Sequence, residues 1–270
     1  MKKKSFISYL VPAWLFLAFV LGGCSQKPSQ TQEDSDSINN APSKRSSALS
    51  ADETQHKGDV YIAADETFRP IVETMVDVFE NTFQKATIRV LYMPGEDAIR
   101  AMVNNDSIRL AICARQLERE EEQSLRKQGT SAKRMELAKD AIAFITHPDN
   151  PIKKLSVAQL RNILAGKITH WNEIDPSGED RAINVVFDNS QSSTVRFLKD
   201  NLMEGAQRKG YQQGDNPSVI AHVANSKNKG SMGVIGLAWI SNSDSQQATG
   251  FMENIQLMSI QSLEGCPYNE

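Results

Sequence analysis

Three places in the sequence put small or hydroxyl-bearing residues where a helix is expected to begin. Thr67-Phe68 precedes Pro70, Gly95-Glu96 follows Pro94, and Ser192-Ser193-Thr194 opens a run with Val195, Phe197, Leu198 and Leu202 at apolar positions. The first turn of a helix presents backbone N–H groups that have no partner within the helix, and the aligned peptide dipoles make that end electropositive. Several such starts converging on one point would meet a desolvated oxyanion with directed donors, and each hydroxyl would add one more. An isolated Ser or Thr at a helix start is more often a cap for its own helix, so these positions need support from elsewhere in the chain.

Other chemistries find less in the residues. The four histidines, His56, His147, His170 and His222, are dispersed, with no i, i+4 pair for a metal. There is no Gly-x-Ser-x-Gly elbow and no Gly-rich nucleotide loop, so neither a hydrolase nor an NTPase has a motif behind it. Cys24, Cys113 and Cys266 are too few for a disulfide framework and too far apart for a zinc set, and Cys113 at a strand end reads as a small hydrophobe. The acidic trio Glu120-Glu121-Glu122 lies in a charge-rich stretch, 116–139, that reads as a solvated helix face with opposite charges at helical spacing. No catalytic residue, metal or cofactor is expected. Thirty Lys and Arg stand against 33 Asp and Glu, and three of the lysines fall in the first four residues. The remainder lacks the basic cluster that nucleic acid requires.

The N-terminus predicts an address. Lys2, Lys3 and Lys4 precede an apolar run from Phe6 to Leu21, and Leu21-Gly22-Gly23-Cys24 closes it with small residues before a cysteine. The run is about 16 residues, short of the roughly 20 that span a bilayer comfortably, which favours a cleaved signal over an anchor helix. Residues 1–23 are therefore expected to be a lipoprotein signal peptide, with lipid on Cys24 tethering the rest to a membrane surface. Residues 24–57, rich in Ser, Gln, Asn and Asp, bury too little apolar surface to order themselves and read as a flexible spacer.

The elements that must position the helix starts follow in alternation. Val60 to Ala64 reads as a strand, the Pro70 helix carries Ile71, Val72, Met75, Val76, Phe79 and Phe83 on one face, and Thr87 to Tyr92 is a second strand. A helix with Ile99, Met102 and Val103 leads to a third strand, Ile108 to Cys113. Strand-helix-strand-helix-strand predicts an open α/β layer with crossover helices. Asp140 to Ile145 is a further strand, and Ser156 caps a helix through Val157, Leu160, Ile163 and Leu164 that Gly166 stops. Trp171 and Trp239 are expected to pack inside.

A resemblance sharpens this reading. Asp140-Ala141-Ile142-Ala143, His147-Pro148-Asp149-Asn150-Pro151, Ile163-Leu164-Ala165-Gly166-Lys167-Ile168-Thr169, Trp171-Asn172-Glu173-Ile174, Ser192-Ser193-Thr194 and Gly230 to Gly236 together resemble the phosphate-binding lipoproteins of ABC transporters, a group within the type 2 periplasmic binding proteins. The resemblance covers about Val60 to Ile260. It implies two α/β lobes joined by hinge strands, residues 58–139 with 237–270 in lobe one and 140–236 in lobe two. It also implies a solute-binding lipoprotein in the cell envelope, facing the periplasm or cell exterior, that holds phosphate between the lobes and passes it to an ABC transporter permease. A binding protein for another oxyanion such as sulfate or molybdate, or a sensor that kept the fold, are the alternatives.

On the matching positions the resemblance assigns ligand contacts to Thr67, Phe68, Gly95, Ser192, Ser193 and Thr194, with Ser193 standing where the family usually has Gly. Two charges look exchanged. The family commonly has an Asp in the turn after the third strand, where this chain has Arg115, and an Arg four residues before the Ser run, where this chain has Asp188. The expectation is that Arg115 supplies the cation and Asp188 the acceptor in one cleft, with Arg196 a second candidate cation. Relatives also continue past the segment equivalent to residues 256–260.

Overall fold

The computed structural model describes Thr54, residues 56–203 and residues 211–261. The apolar leader, Cys24 with most of the polar spacer, and the tail from residue 262 lie outside the described residues.

The first lobe is built as the alternation predicts. Strand β1 (Lys57–Asp65) leads into a single 3-10 turn over Glu66–Phe68 and helix α1 (Arg69–Thr82), whose Pro70 occupies the first turn where no N–H is needed. Strand β2 (Lys85–Met93), helix α2 (Gly95–Asn104) and strand β3 (Ile108–Ile112) follow. The strands form an all-parallel sheet in the order β2-β1-β3. Parallel neighbours need crossovers, and α1 and α2 supply them on opposite faces. Val72, Val76 and Phe68 pack on Ile62, Ala64, Ile88 and Val90 on one side, and Ala98, Ala101 and Met102 on Ala63, Ile108 and Met93 on the other. Asp65 pairs in register with Met93, so β1 and β2 end together and deliver the 66–68 turn and the start of α2 to one rim. The carboxyl end of a parallel sheet is where ligands bind in open α/β folds.

Helix α3 (Arg119–Lys127) is shorter than the helical stretch expected over 116–139. Gly129 takes a left-handed φ of 75° and ends it, Thr130 N–H turning back to Leu125 O at 3.0 Å. Residues 130–141 then run without regular structure to the second lobe.

The second lobe opens with strand β4 (Ile142–Thr146), then β5 (Lys154–Ser156), α4 (Val157–Leu164), β6 (Asn184–Phe187), α5 (Ser193–Asn201), β7 (Tyr211–Gln212), α6 (Asn216–Ala224) and β8 (Ser231–Gly236). After these come α7 (Ala238–Ser241), α8 (Gln246–Met252), β9 (Gln256–Leu257) and β10 (Ser259–Gln261). Five strands form a mixed sheet in the order β7-β6-β8-β4-β9, and β10 pairs with β5. One face carries Phe144, Leu160, Ile163, Leu164, Trp171 and Leu198, and the other Ile145, Val186, Val219, Ile220, Ile235 and Trp239. Both tryptophans are buried, as their apolar neighbours suggest, and Trp171 Nε1 donates to Gly230 O at 3.1 Å.

The sequence reading returns the chain to lobe one after residue 236, and here the structure differs for residues 238–261. Trp239, Ile240 and Ile255 fill the second lobe's core, and β9 pairs antiparallel with β4. Helix α7 leans back, touching α1 and the 66–68 turn. The apolar side chains decide this, because the buried face of the five-stranded sheet offers them more surface than the thin three-stranded one.

Candidate functional site

The first lobe's contribution starts from Asp65, at the end of β1 and 1% exposed. Its Oδ1 accepts from Thr67 N–H at 3.0 Å and so caps the 3-10 turn. Thr67 is buried, and Phe68 begins α1 without a side-chain cap, its ring in the apolar cluster beneath that helix. Glu66 is half-buried, with its Oε1 3.8 Å from Arg69 Nε, and the Arg69 guanidinium lies over the Tyr92 ring at 3.9 Å. Gly95 opens α2 against Asp65. A Cβ there would sit 2.4 Å from Asp65 Oδ2, so any other residue would displace the carboxylate or the helix.

The second lobe faces this rim with the starts of α5 and α6. Ser192 caps α5, its hydroxyl oxygen accepting from Val195 N–H at 3.1 Å while donating to Asp188 Oδ1 at 2.6 Å. Ser193 Oγ donates to Thr67 Oγ1 at 3.2 Å, a direct hydrogen bond from one lobe to the other. Thr194 is 2% exposed, and its Oγ1 has no hydrogen-bond partner among the described residues. Asn216, the first residue of α6 and fully buried, takes a bond from Gly236 N–H to its Oδ1 at 3.0 Å. Its Nδ2 donates to Glu66 Oε2 at 3.2 Å and to Asp188 Oδ2 at 3.4 Å, tying a carboxylate of each lobe to one amide. Gly236 is the other close approach, since a Cβ there would meet Thr67 Cγ2 at 2.8 Å.

Between these elements opens a cleft of about 330 Å³, lined by Glu66, Tyr92, Met93 and Pro94 from the first lobe and Asn189, Ser190, Gln191 and Gly214 from the second. Glu66 gives this lining its carboxylate, and Asp65 and Asp188, the chain neighbours of Glu66 and Asn189, are buried at the lobe junction. Burial pushes Glu66 up to about 7, against the opposing pull of Asn216 and Arg69, and Asp215 and Asp188 add to the rise. Burial likewise carries Asp188 up to about 6 despite its bond from Ser192, and the charge of Asp65 contributes. Asp65 is raised by burial as well, with the hydroxyl of Ser193 and the N–H and hydroxyl of Thr67 opposing. With values near 7 and 6, Glu66 and Asp188 can each be neutral or charged near neutral pH, so the lobe junction can accept a hydrogen bond or carry a neutral carboxyl beside an anion.

The structure brings Thr67, Gly95, Asp188, Ser192, Ser193 and Thr194 to this junction, and it places Phe68 in the core beside it. Arg115 is elsewhere engaged. Its Nη2 and Nη1 bind Glu121 Oε1 and Oε2 at 2.7 and 2.8 Å, and Glu121 is in turn held by Glu118 N–H at 2.8 Å. That planar pair raises Arg115 and lowers Glu121, each mainly through the bond to the other. The expected sharing of one cleft by Arg115 and Asp188 is thus not what the structure has. Asp188 is met by Ser192 and Asn216, and the capping box of α3 claims Arg115. Arg196 lies at the rim, with Nη1 3.5 Å from Glu96 of α2 and Nε 3.7 Å from Asp200. The reading by sequence omitted Asp65, Glu66 and Asn216. Asp65-Glu66 directly before Thr67, and Asp215-Asn216-Pro217 as a helix start, were the available signals. Among the described residues no group of three His, Cys, Asp or Glu could hold a metal ion.

Comparison with known proteins is consistent with this architecture. The phosphate-binding protein PstS of Staphylococcus epidermidis is 28% identical over 124 residues, covering 46% of this chain and 38% of its own length. That of Staphylococcus aureus is 25% identical over 181 residues, covering 67% and 54%. The chain thus spans about half the length, or less, of these curated relatives. The crystal structure of a phosphate ABC transporter substrate-binding protein with bound phosphate from Clostridium perfringens superposes with a TM-score of 0.59 at 23% identity, covering 75% of this chain and 76% of that one. At that identity the likeness is one of fold, and it is the two-lobed fold of the type 2 periplasmic binding proteins. Residues 49–267 match the PBP superfamily domain, and the chain belongs to that superfamily.

Proposed function

We propose that this protein is an extracytoplasmic solute-binding lipoprotein that captures inorganic phosphate between its two lobes and delivers it to an ABC transporter. The observation that carries the reading is the hydrogen bond from Ser193 to Thr67, which joins the start of α5 to the turn before α1 across the lobes. A tetrahedral oxyanion entering between them would exchange this one bond for a bond from each hydroxyl. The N–H groups at the starts of α2 and α5 would then face it from both sides. The relatives named as phosphate-binding proteins, and the related fold described with bound phosphate, support the choice of ligand.

Binding then works by closure. Phosphate enters while the lobes are apart, and the contacts from both lobes, made together only in the closed form, shift the population toward it. Glu66 and Asp188 are compatible with this because their raised proton affinities let them stay neutral or accept a proton from the ligand. Lipid on Cys24 would hold the protein at the membrane, where an ABC permease receives the ligand, and the polar residues that follow would let the lobes reach it. Calorimetric titration of the purified protein with phosphate, sulfate and molybdate tests the reading. Phosphate is expected to bind most tightly, and an absence of phosphate binding with either other anion bound would refute it.

A further inference from the structure

The cleft between the lobes is larger than an inorganic anion needs. At about 330 Å³ it falls in the range of pockets that hold small organic ligands, whereas phosphate is a single phosphorus with its four oxygens. The oxyanion donors also stand beside this space and not around it. Thr67, Gly95 and Ser192 each follow directly on a residue of the lining, Glu66, Pro94 and Gln191, and none of the three lines the cleft. A bare phosphate held by those donors would leave the cleft to water.

The lining has a chemistry of its own. Tyr92, Met93 and Pro94 give it an apolar wall from the first lobe, and Asn189, Ser190 and Gln191 a polar one from the second. Glu66 adds a carboxylate whose Oε2 is held by Asn216 at 3.2 Å, while its Oε1 has Arg69 Nε only at 3.8 Å, beyond hydrogen-bond length. That oxygen keeps acceptor capacity for a donor in the cleft. The balance of charge points the same way. Asp65, Glu66 and Asp188 gather at the junction, whereas Arg115 is held by Glu121 and Arg196 lies at the rim against Glu96 and Asp200. An anion brought among these acids gains from carrying a cation of its own, because charges taken out of water are kept only when paired.

We infer that the cleft is a subsite for a phosphate monoester with a short alkylammonium arm, the phosphoryl group meeting the hydroxyls and helix starts and the ammonium donating to Glu66 Oε1. This rests on the oxyanion reading above and adds a ligand class to it, with inorganic phosphate as the smaller ligand of the same junction. The carbons of the arm lie against Tyr92, Met93 and Pro94, and the side-chain oxygens of Asn189 and Gln191 are acceptors for the remaining N–H groups of the ammonium. An uncharged alkyl ester fills the same space but leaves the Glu66 carboxylate unpaired beside the phosphoryl charge, which is the basis for telling the two apart.

The test is calorimetric titration of the whole protein at pH 8 with inorganic phosphate, ethyl phosphate and aminoethyl phosphate. At that pH Glu66 is charged, since burial brings it only to about 7. Wild-type protein should bind aminoethyl phosphate about tenfold more tightly than ethyl phosphate, the worth of one charge-assisted hydrogen bond. Glu66→Gln keeps an oxygen for Asn216 and removes the charge, so the two esters should bind alike. Ser190→Trp, at an exposed position of the lining, fills the cleft and should weaken both esters relative to inorganic phosphate. Equal binding of the two esters by wild-type protein overturns the inference, as does the wild-type preference persisting in Glu66→Gln or a ratio of esters to phosphate that ignores Ser190→Trp. Wild-type protein that binds inorganic phosphate and neither ester overturns it as well, and leaves the phosphate reading standing. Wild-type protein that binds none of the three overturns that reading and the inference with it.

Discussion

Asn216 is the residue whose removal should be felt most widely, because one buried side chain serves both lobes. In Asn216→Ala the N–H of Gly236 loses its acceptor at 3.0 Å, and Glu66 and Asp188 lose a donor at 3.2 and 3.4 Å. Orphaning a buried backbone N–H costs about 1–3 kcal/mol, and the two longer bonds are worth roughly 0.5–1 kcal/mol each. The variant should therefore lose about 3 kcal/mol, which at a urea slope of about 2 kcal/mol/M lowers the midpoint by roughly 1.5 M. Urea titration followed by the fluorescence of the buried Trp171 and Trp239 reads this directly. Asn216→Asp separates the causes, since it keeps an acceptor for Gly236 but puts a third carboxylate beside two others. It should be at least as unstable as the alanine variant near pH 8, and it should recover toward pH 5, below the values near 7 for Glu66 and 6 for Asp188. A loss under about 0.5 kcal/mol for the alanine variant, within the range of an ordinary surface change, would refute the bridging role. A deficit in the aspartate variant that ignores pH would refute the electrostatic part.

The same acids give wild-type stability a pH slope. Glu66 binds its proton more tightly folded, at about 7 against 4.5, so the stability it contributes is full below about 4.5 and is lost as pH rises through 7. Unfolding free energy should fall from pH 5 to pH 8 for this reason, and Glu66→Gln should flatten the decline, with an unchanged slope ruling Glu66 out as its source. Arg115→Ala should lower the thermal midpoint, by an equivalent of about 1–2 kcal/mol for a partly buried bidentate pair, and leave phosphate affinity unchanged. A loss of affinity would mean that Arg115 leaves Glu121 to reach the ligand. For the anchor, wild-type protein should take up a fatty-acid probe and partition into detergent while Cys24→Ala does neither, and equal labelling of the two would remove the lipid tether.

Legibility in the sequence followed the range of the interactions. The parallel layer of β1, β2 and β3 with its two crossover helices was readable because a buried strand and an amphipathic helix each impose a local period on the chain. The caps of α4 and α5 at Ser156 and Ser192 were readable for the same reason, each depending on three or four consecutive residues. Thr67 and Ser193 could be named individually, although nothing near either of them says that they meet.

What only the tertiary structure decided are pairings between positions distant in the chain. Arg115 was expected to supply the cation of the cleft that holds Asp188, yet Glu121, six residues away on the first turn of α3, holds both terminal nitrogens of its guanidinium. The residues after 236 looked like a return to the first lobe. Trp239, Ile240 and Ile255 instead find their largest apolar surface on the second. Asp65 passed unnoticed as the last residue of a strand, and its importance comes from burial against Gly95, which strips an ordinary carboxylate of water, and from the turn it caps through Thr67 N–H. Side-chain chemistry is written in the sequence, whereas desolvation and partner choice are set by which surfaces the folded chain closes over.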